Sequence, residues 1–179
     1  MHALRTAILV VWVLFWAGWL ISARWSKRGS GHRAVPFGLR IIVIGGILIL
    51  LGHSHIGTIH VLALAIVGTA MFVAGLALAI WARVTLGRNW GMPMTLKEEP
   101  ELVTTGPYRF VRHPIYTGIL LAVLGSALAT YVAAFVIFAV TAVYFVYSAR
   151  IEDGLMATSF PSTYPAYRER TKMLIPFVL

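Results

Sequence analysis

Three long stretches without a charged residue constrain this chain more than any other feature. Residues 6–23 and 61–82 are 18 and 22 residues long and mostly apolar, and a helix needs roughly 20 such residues to cross the hydrocarbon core of a bilayer. The third stretch, residues 117–149, has 33 residues and would be roughly 50 Å long as one helix. We predict that it folds back near Thr130 as two antiparallel helices.

A shorter apolar stretch at residues 41–52 predicts one further span. The predicted fold is therefore all-α and integral to the membrane, with about five transmembrane helices, of which spans four and five form a hairpin. The first span is longer than the core of a signal peptide and is followed by Arg24 and Lys27 instead of small residues, so we expect it to be retained.

The positions of the basic residues predict the orientation. In the five-span arrangement, 14 of the 15 Lys and Arg residues fall on one side of the membrane, and the positive-inside rule makes that side cytoplasmic. The N-terminus is then outside and the C-terminus in the cytoplasm. The net charge of +9 follows from this topology and from contact with membrane lipids, so no nucleic-acid partner is predicted.

Several chemistries are disfavoured by what the sequence lacks. There is no cysteine, which removes disulfides, thiolate nucleophiles and thiolate-bound zinc. The uncharged stretches offer no ionisable side chain for an ion path, and all six acidic residues fall on the predicted cytoplasmic side, which argues against a channel or pump. His53, His55 and His60 have no acidic neighbour on their side, so we predict no metal site.

The chain is predicted to be a single membrane domain, residues 1–179, with its chemistry in residues 96–179 and with residues 1–95 walling an acceptor pocket.

Residues 102–118 hold the first unusual segment. Arg109 and Arg112 are three apart and would share one face of a helix. Pro114 suits the first position of span four, whose N-terminus would favour an anionic group.

Residues 150–176 hold the second unusual segment. Span five is predicted to continue past the membrane to Glu152 and Asp153, and Pro161 to stop it. Tyr164, Tyr167 and Arg170 follow at spacings of three and would share a helix face. Two simpler interpretations stay open at this point: arginines 109 and 112 as lipid-phosphate anchors, and the two carboxylates as a solvated helix end paired with Arg150.

Together the two segments resemble the isoprenylcysteine carboxyl methyltransferase family and its bacterial relatives, which share features with phospholipid N-methyltransferases. The resemblance covers roughly the last 80 residues. It is carried by the following residues, in this order: Gly106, Pro107, Tyr108, Arg109, Arg112, His113, Pro114, Tyr116, Gly118, Glu152, Asp153, Phe160, Tyr164, Tyr167, Arg170, Ile175 and Pro176.

The resemblance implies a membrane enzyme, here of a bacterial inner membrane, that uses S-adenosylmethionine and methylates a lipophilic small molecule or lipid. The residues that it assigns to the cofactor pocket are Leu102, Val103, Tyr108, His113, Pro114, Ile115, Tyr116 and Glu152. As catalytic residues it assigns Arg170 and, less directly, Arg150, which would face the acceptor.

These implied roles are chemically consistent. A carboxylate such as Glu152 can accept hydrogen bonds from a ribose diol, His113 and nearby backbone N–H groups suit the cofactor's carboxylate, and aromatic faces stabilise a sulfonium. An acceptor carboxylate is already ionised near pH 7, and an arginine would orient it. The resemblance thus implies carboxyl O-methylation, while phosphatidylethanolamine and a quinone-like ring stay open as acceptors.

Two positions depart from the family pattern, and other functions stay open. Asp153 replaces a second glutamate, and Pro161 replaces a glycine. The alternatives are a phospholipid or amine N-methyltransferase, an NADPH-dependent enzyme of the sterol-reductase type, and a membrane scaffold without activity. The reductase pattern has Asn where this chain has Ile115, and it has a cysteine that this chain lacks.

Overall fold

The computed structural model describes residues 1–27, 29–31, 57–91 and 93–175. The described residues form five α-helices: α1 (His2–Ala23), α2 (Leu62–Leu86), α3 (Pro114–Ala129), α4 (Ala134–Ser159) and α5 (Tyr164–Arg170). Two strands of three residues each, β1 (Gly29–Gly31) and β2 (Thr95–Lys97), pair antiparallel. Short 3₁₀ turns cover Gly87–Asn89 and Gly106–Arg109. Apart from the one small ribbon, the described fold is helical, as predicted.

Within the described ranges, three helical segments are long and apolar enough to cross a membrane: α1, α2 with the turn that follows it, and α4. Helix α3 has 16 residues and is about 24 Å long. The turn predicted near Thr130 is confirmed, since α3 ends at Ala129 and α4 begins at Ala134. The second span predicted at residues 41–52 lies outside the described residues, so the count of five spans stays a prediction.

Helices α2 and α3 pack so closely that their backbones touch. A Cβ atom built on Gly118 would lie 2.6 Å from the backbone nitrogen of Ala79, and one on Gly68 would lie 2.6 Å from the carbonyl oxygen of Gly125. Ala79 and Ala122 have no exposed surface. Small residues allow this approach, which is a usual way to pack helices in lipid. We call this contact the glycine seam.

Helix α1 packs through a row of aromatic rings. Trp12 stacks on Trp16, and Phe15 lies edge-on to both. The indole N–H of Trp12 donates to the Ser126 hydroxyl of α3 over 3.0 Å, and the ring of Trp19 meets Trp90 edge-on with 5.8 Å between centroids. The aromatic row therefore holds α1 against α3 and against the loop after α2.

The two ends of the helical bundle differ in chemistry. At one end, the N–H of Ile59 donates to the carbonyl of Thr130 over 3.1 Å, and the Arg5 guanidinium lies 4.9 Å from the centre of the Tyr131 ring. The other end gathers the start of α3, the end of α4 and the loops around them. Most of the side-chain ion pairs among the described residues lie there.

Candidate active site

Four chain segments meet at the polar end, and local sequence explains each. The loop before α3 turns at Gly106, whose φ of 57° suits glycine. Pro114 opens α3 at the first helical turn, as predicted. Helix α4 ends at Ser159, two residues before Pro161, and α5 and the segment after it lie alongside the loop.

Asp153 is the centre of the polar cluster. Its carboxylate forms a bidentate pair with Arg112, with Nη2 to Oδ2 at 2.8 Å and Nε to Oδ1 at 3.1 Å. It also accepts from the Tyr164 hydroxyl and lies 3.0 Å from Nε2 of His113. Asp153 is buried, so the interpretation of this carboxylate as a solvated helix end paired with Arg150 is wrong.

Arg112 is fixed on every side. Besides Asp153, its Nη1 donates to the carbonyl oxygens of Thr171 at 2.6 Å and Arg168 at 3.3 Å. Burial on its own lowers the pKa of the guanidinium, but its bonds to Asp153 raise it above the ordinary value. Arg112 is thus a structural cation and not a lipid anchor. Arg109 is exposed over the Phe110 ring, so the two arginines do not share a face. The helical turn ends at Arg109.

The imidazole of His113 lies between two carboxylates. Its Nε2 faces Oδ1 of Asp153 at 3.0 Å and its Nδ1 faces Oε2 of Glu152 at 3.3 Å. A neutral ring would turn one unprotonated nitrogen toward a carboxylate, so both nitrogens carry protons. Burial on its own lowers the pKa of His113, but the hydrogen bonds to Asp153 and Glu152 raise it above the ordinary 6.5. With Arg112, the imidazolium balances both carboxylates.

Glu152 is held in place by a side chain and by the main chain. Its Oε1 accepts from the Tyr116 hydroxyl at 2.5 Å and from the backbone N–H of Met94 at 2.8 Å. Met94 has a φ of 62°, the left-handed conformation that a non-glycine residue adopts at a cost of roughly 1–2 kcal/mol. The Glu152 side chain keeps 22% of its surface exposed, against 8–9% for His113, Asp153 and Arg112. It is the accessible carboxylate of the cluster.

The segment after α5 closes the cluster through its backbone. The N–H groups of Arg112 and His113 donate to the carbonyls of Lys172 and Met173 over 2.8 and 3.1 Å. The hydroxyl of Tyr167 donates to the Tyr108 carbonyl over 2.7 Å. Burial raises the pKa of Tyr167 to about 12 and also raises that of Tyr108, so both phenols stay protonated near neutral pH.

The predicted cofactor residues are partly brought together. Glu152, Tyr116 and His113 are in contact, and the ring of Tyr116 stacks on those of His113 and Phe145 with centroids 5.5 and 4.3 Å apart. The others lie around them: Pro114 and Ile115 are buried in the first turn of α3, Tyr108 is buried in the turn before it, and Leu102 and Val103 are half-buried.

The two arginines predicted to face the acceptor lie apart from this group. Arg150 is exposed and lines a cleft of about 600 Å³. It is two residues from Glu152, which places the two on nearly opposite faces of α4. Arg170 is exposed at the end of α5, with its Cζ 5.9 Å from the centre of the Tyr167 ring. Neither contacts the carboxylate of Glu152 in the structure.

The sequence predicts no site role for four residues of the polar end: Asp153, Arg112, Tyr164 and Met94. An Arg-His pair next to a helix start, together with a Glu-Asp pair at a helix end, is a signal for charge pairing. The pattern does not tell which residue pairs with which. Met94 carries no signal, because its contribution is a backbone N–H.

A family profile matches this part of the chain, and three relatives match stretches of 79 to 95 residues of the chain. The profile of the phospholipid methyltransferase family matches residues 63–163, from α2 to the start of α5. The cobalt-zinc-cadmium resistance protein CzcN of Cupriavidus metallidurans is 35% identical over 95 residues, and the nickel-cobalt-cadmium resistance protein NccN of Alcaligenes xylosoxydans is 33% identical over 95 residues. In each case the match covers 51% of this chain and 44% of the relative.

Methanethiol S-methyltransferase 1 of Bradyrhizobium diazoefficiens is 35% identical over 79 residues, which is 44% of this chain and 27% of that protein. The matches thus span less than half the length of each relative. The family profile covers more than half of this chain and contains Glu152, Asp153, Arg112 and His113. The chain is therefore an integral membrane protein that belongs to the phospholipid methyltransferase family.

Proposed function

We propose that this protein is an S-adenosylmethionine-dependent methyltransferase that acts on a lipophilic acceptor at the cytoplasmic face of the membrane, most specifically on a carboxylate. Family membership supports methyl transfer, and one relative carries a methyltransferase name. The observation that carries the proposal is that the Glu152 carboxylate is held in place, is partly exposed and lies beside buried aromatic rings.

The residues present fit this cofactor at Glu152. Its carboxylate is held by Tyr116 and by the Met94 N–H, and its exposed part can accept hydrogen bonds from a ribose diol. Leu102 and Val103, which the resemblance assigns to the cofactor pocket, are half-buried and would add apolar contacts. His113 fits the expected direct role less well, because both of its nitrogens already face carboxylates. We therefore propose that His113 positions Glu152.

When bound, the cofactor would supply a methyl group from its positively charged sulfur to the acceptor atom, with the thioether S-adenosylhomocysteine as the leaving group. The chain's own residues then have three tasks. Glu152 orients the cofactor, the buried rings exclude water, and Arg170 orients an acceptor carboxylate, which is ionised at neutral pH and needs no base. Arg150 lies on another face of α4, and we propose a different use for it below.

Orientation in the membrane follows the charges. We propose that the N-terminus faces outward and that the polar end faces the cytoplasm of a bacterial inner membrane. The proposal rests on the 14 basic residues on one side. Lipid chains surround the apolar helices, and the acceptor enters from the lipid phase.

Calorimetric titration of the detergent-purified protein with S-adenosylmethionine, S-adenosylhomocysteine and NADPH tests the cofactor. We expect the two adenosyl compounds to bind and NADPH not to bind. Binding of NADPH alone would favour the reductase alternative, and binding of none would favour the scaffold alternative. Either result overturns the proposal.

A second candidate acceptor is an amine or a thiol, which the name of the family and that of the Bradyrhizobium relative favour. Methyl transfer from radiolabelled cofactor to a fatty acid, a prenylated thioether acid, phosphatidylethanolamine and an alkanethiol separates these classes. We expect label in the two acids. Label confined to the amine or the thiol would overturn the carboxylate assignment while leaving methyl transfer in place.

A further inference from the structure

A basic cleft lies on the side of α4 that faces away from Glu152. Its volume is about 600 Å³. The residues that line it are Arg112, Arg150, Asp153, Gly154, Arg168, Glu169, Thr171, Lys172 and Met173. Arg112 and Asp153 neutralise each other at its floor. The remaining charged side chains are three cations and one carboxylate, which leaves a net charge of +2.

The three remaining cations, Arg150, Arg168 and Lys172, are exposed, and none forms an ion pair with a carboxylate of the described residues. Their backbones are nevertheless fixed. Arg112 donates to the carbonyls of Arg168 and Lys172, and Arg150 belongs to a regular helix. Like charges held together without a partner repel each other, and an anion between them relieves that repulsion.

An apolar stripe on α4 leads into this cleft. Val136, Val140, Val143 and Tyr147 are each more than half exposed, and their spacing of four, three and four residues puts them on one helix face. The next positions on that face are Arg150 and Gly154, which line the cleft. The stripe from Val136 to Tyr147 is roughly 16 Å long, close to the roughly 15 Å depth of one bilayer leaflet.

We propose that the cleft binds the phosphate headgroup of an anionic phospholipid whose acyl chains lie along the apolar stripe of α4. This site is separate from the cofactor residues and does not depend on methyl transfer. A zwitterionic headgroup would bring its own cation next to Arg150, whereas an anionic headgroup adds only negative charge. The lipid is the favoured occupant because stripe and cleft are continuous.

Arg112 takes part in this site mainly through its position. Four of its five N–H groups are bound to Asp153 and to two carbonyls, and its charge is balanced by Asp153, so we do not count it among the cations that bind the headgroup. It positions the segment that carries Arg168 and Lys172. The Asp153 carboxylate also lies within hydrogen-bond distance of His113. This one buried side chain therefore lies between the lipid site and the cofactor residues.

Native mass spectrometry of the detergent-solubilised protein tests the proposal, with dioleoylphosphatidylglycerol and dioleoylphosphatidylcholine as probes. We expect one phosphatidylglycerol to bind at least tenfold more tightly than phosphatidylcholine. The double variant Arg168→Gln/Lys172→Gln should weaken phosphatidylglycerol binding about 25-fold, since each cation near an anionic headgroup contributes about a factor of five. The backbone carbonyls that Arg112 uses are unchanged in this variant.

The double variant Arg24→Gln/Arg88→Gln is the matched control, because it removes two exposed cations away from the cleft. It should change phosphatidylglycerol binding less than twofold. Equal losses in the two double variants, or equal binding of the two lipids, would overturn the proposal. If the cleft variant melts more than a few degrees lower, the single variant Arg150→Gln serves in its place, with a loss of about fivefold.

Inorganic phosphate distinguishes a lipid site from a site for a free anion. In detergent without lipid, we expect up to 10 mM phosphate to leave the melting temperature unchanged and not to displace phosphatidylglycerol. Stabilisation by phosphate that is lost in the cleft variant would overturn the assignment to lipid.

Discussion

The glycine seam and the polar cluster are both tightly packed, but they are held together in opposite ways. In the seam, the contact depends on side chains that are missing, since a Cβ on Gly68 or Gly118 would collide with the opposite backbone. In the cluster, the contact depends on side chains with particular charges, centred on Asp153. The seam joins two helices, whereas the cluster joins the start of α3, α4, α5 and the segment after α5.

Stability and chemistry therefore depend on different parts of this small membrane protein. The seam tolerates no added volume but holds no ionisable group, so it can serve only as a frame. The cluster lies at the ends of helices and in loops, where polar groups find partners outside the lipid. Its own folding depends on charge balance, so part of it acts as structure and only Glu152 remains accessible.

Substitution of Asp153 should change the stability of the protein most, because this carboxylate pairs with both Arg112 and His113. Asp153→Asn leaves a buried arginine without its counter-ion and should lower the free energy of unfolding by about 3–5 kcal/mol, measured by denaturation in mixed micelles. Asp153→Glu keeps the charge and should lose less than half as much. Equal losses would mean that charge balance does not hold the cluster together.

The seam should respond to volume alone. A Cβ on Gly75 would lie 2.5 Å from the carbonyl oxygen of Gly118, so Gly75→Ala forces the helices apart and should cost about 2–3 kcal/mol. Gly18 in α1 has no atom within 4 Å of its Cβ position, and Gly18→Ala should be neutral or slightly stabilising. A melting temperature that is unchanged by Gly75→Ala would remove the basis of the comparison.

Glu152 should show the reverse pattern, with a functional loss and little structural loss. Gln can still accept from Tyr116 and from the Met94 N–H, and its amide nitrogen can donate to Nδ1 of a neutral His113 whose Nε2–H still donates to Asp153. Glu152→Gln should therefore leave the melting temperature of the unliganded protein within a few degrees. S-adenosylmethionine binding should weaken roughly 10- to 100-fold, because a bond to a charged acceptor contributes about 1.5–3 kcal/mol. Glu169→Gln, at an exposed carboxylate, is the control and should bind normally.

The smallest expected effect is the pH dependence of stability through His113. Its pKa in the folded protein is raised above 6.5, so the folded state holds the proton more tightly than the unfolded state. The stabilisation is complete below pH 6.5 and disappears as the pH rises through the raised pKa. Its size is about 1.4 kcal/mol for each pH unit that separates the folded from the unfolded pKa.

The arginine and the tyrosines of the cluster do not change their charge between pH 6 and 9. Arg112 stays charged, and the pKa values of Tyr108, Tyr164 and Tyr167 lie above their ordinary range. Melting curves between pH 6 and 9 should therefore fall for the wild type and be flatter for His113→Gln. A wild-type curve that rises with pH would contradict the charged imidazolium.

The sequence predicted those features that depend on neighbouring residues. Apolar run length predicted the helices, Pro114 the start of α3, and Pro161 the end of α4. It also predicted that Tyr164, Tyr167 and Arg170 share a face. The two tyrosines are buried together with their rings 5.9 Å apart, and Arg170 lies 5.9 Å from the Tyr167 ring but is exposed.

The polar partners could not be predicted in the same way. Arg109 and Arg112 look alike in sequence, yet one is exposed and the other is paired with a residue 41 positions away. The choice between them depends on where the helical turn ends. Likewise, the replacement of a family glutamate by Asp153 does not reveal its partners, and only the structure shows that Arg112 and Tyr164 come close enough for this shorter side chain to contact both.

The hydrogen bond from Met94 to Glu152 determines which mutations this loop would accept. Because the donor is the main-chain N–H, every residue except proline at position 94 keeps this hydrogen bond. The bond places no requirement on the side chain. Because φ is 62°, the position selects on backbone shape. In a library randomised at position 94, glycine and asparagine should outrank valine and isoleucine, the opposite of the order expected for an ordinary buried methionine.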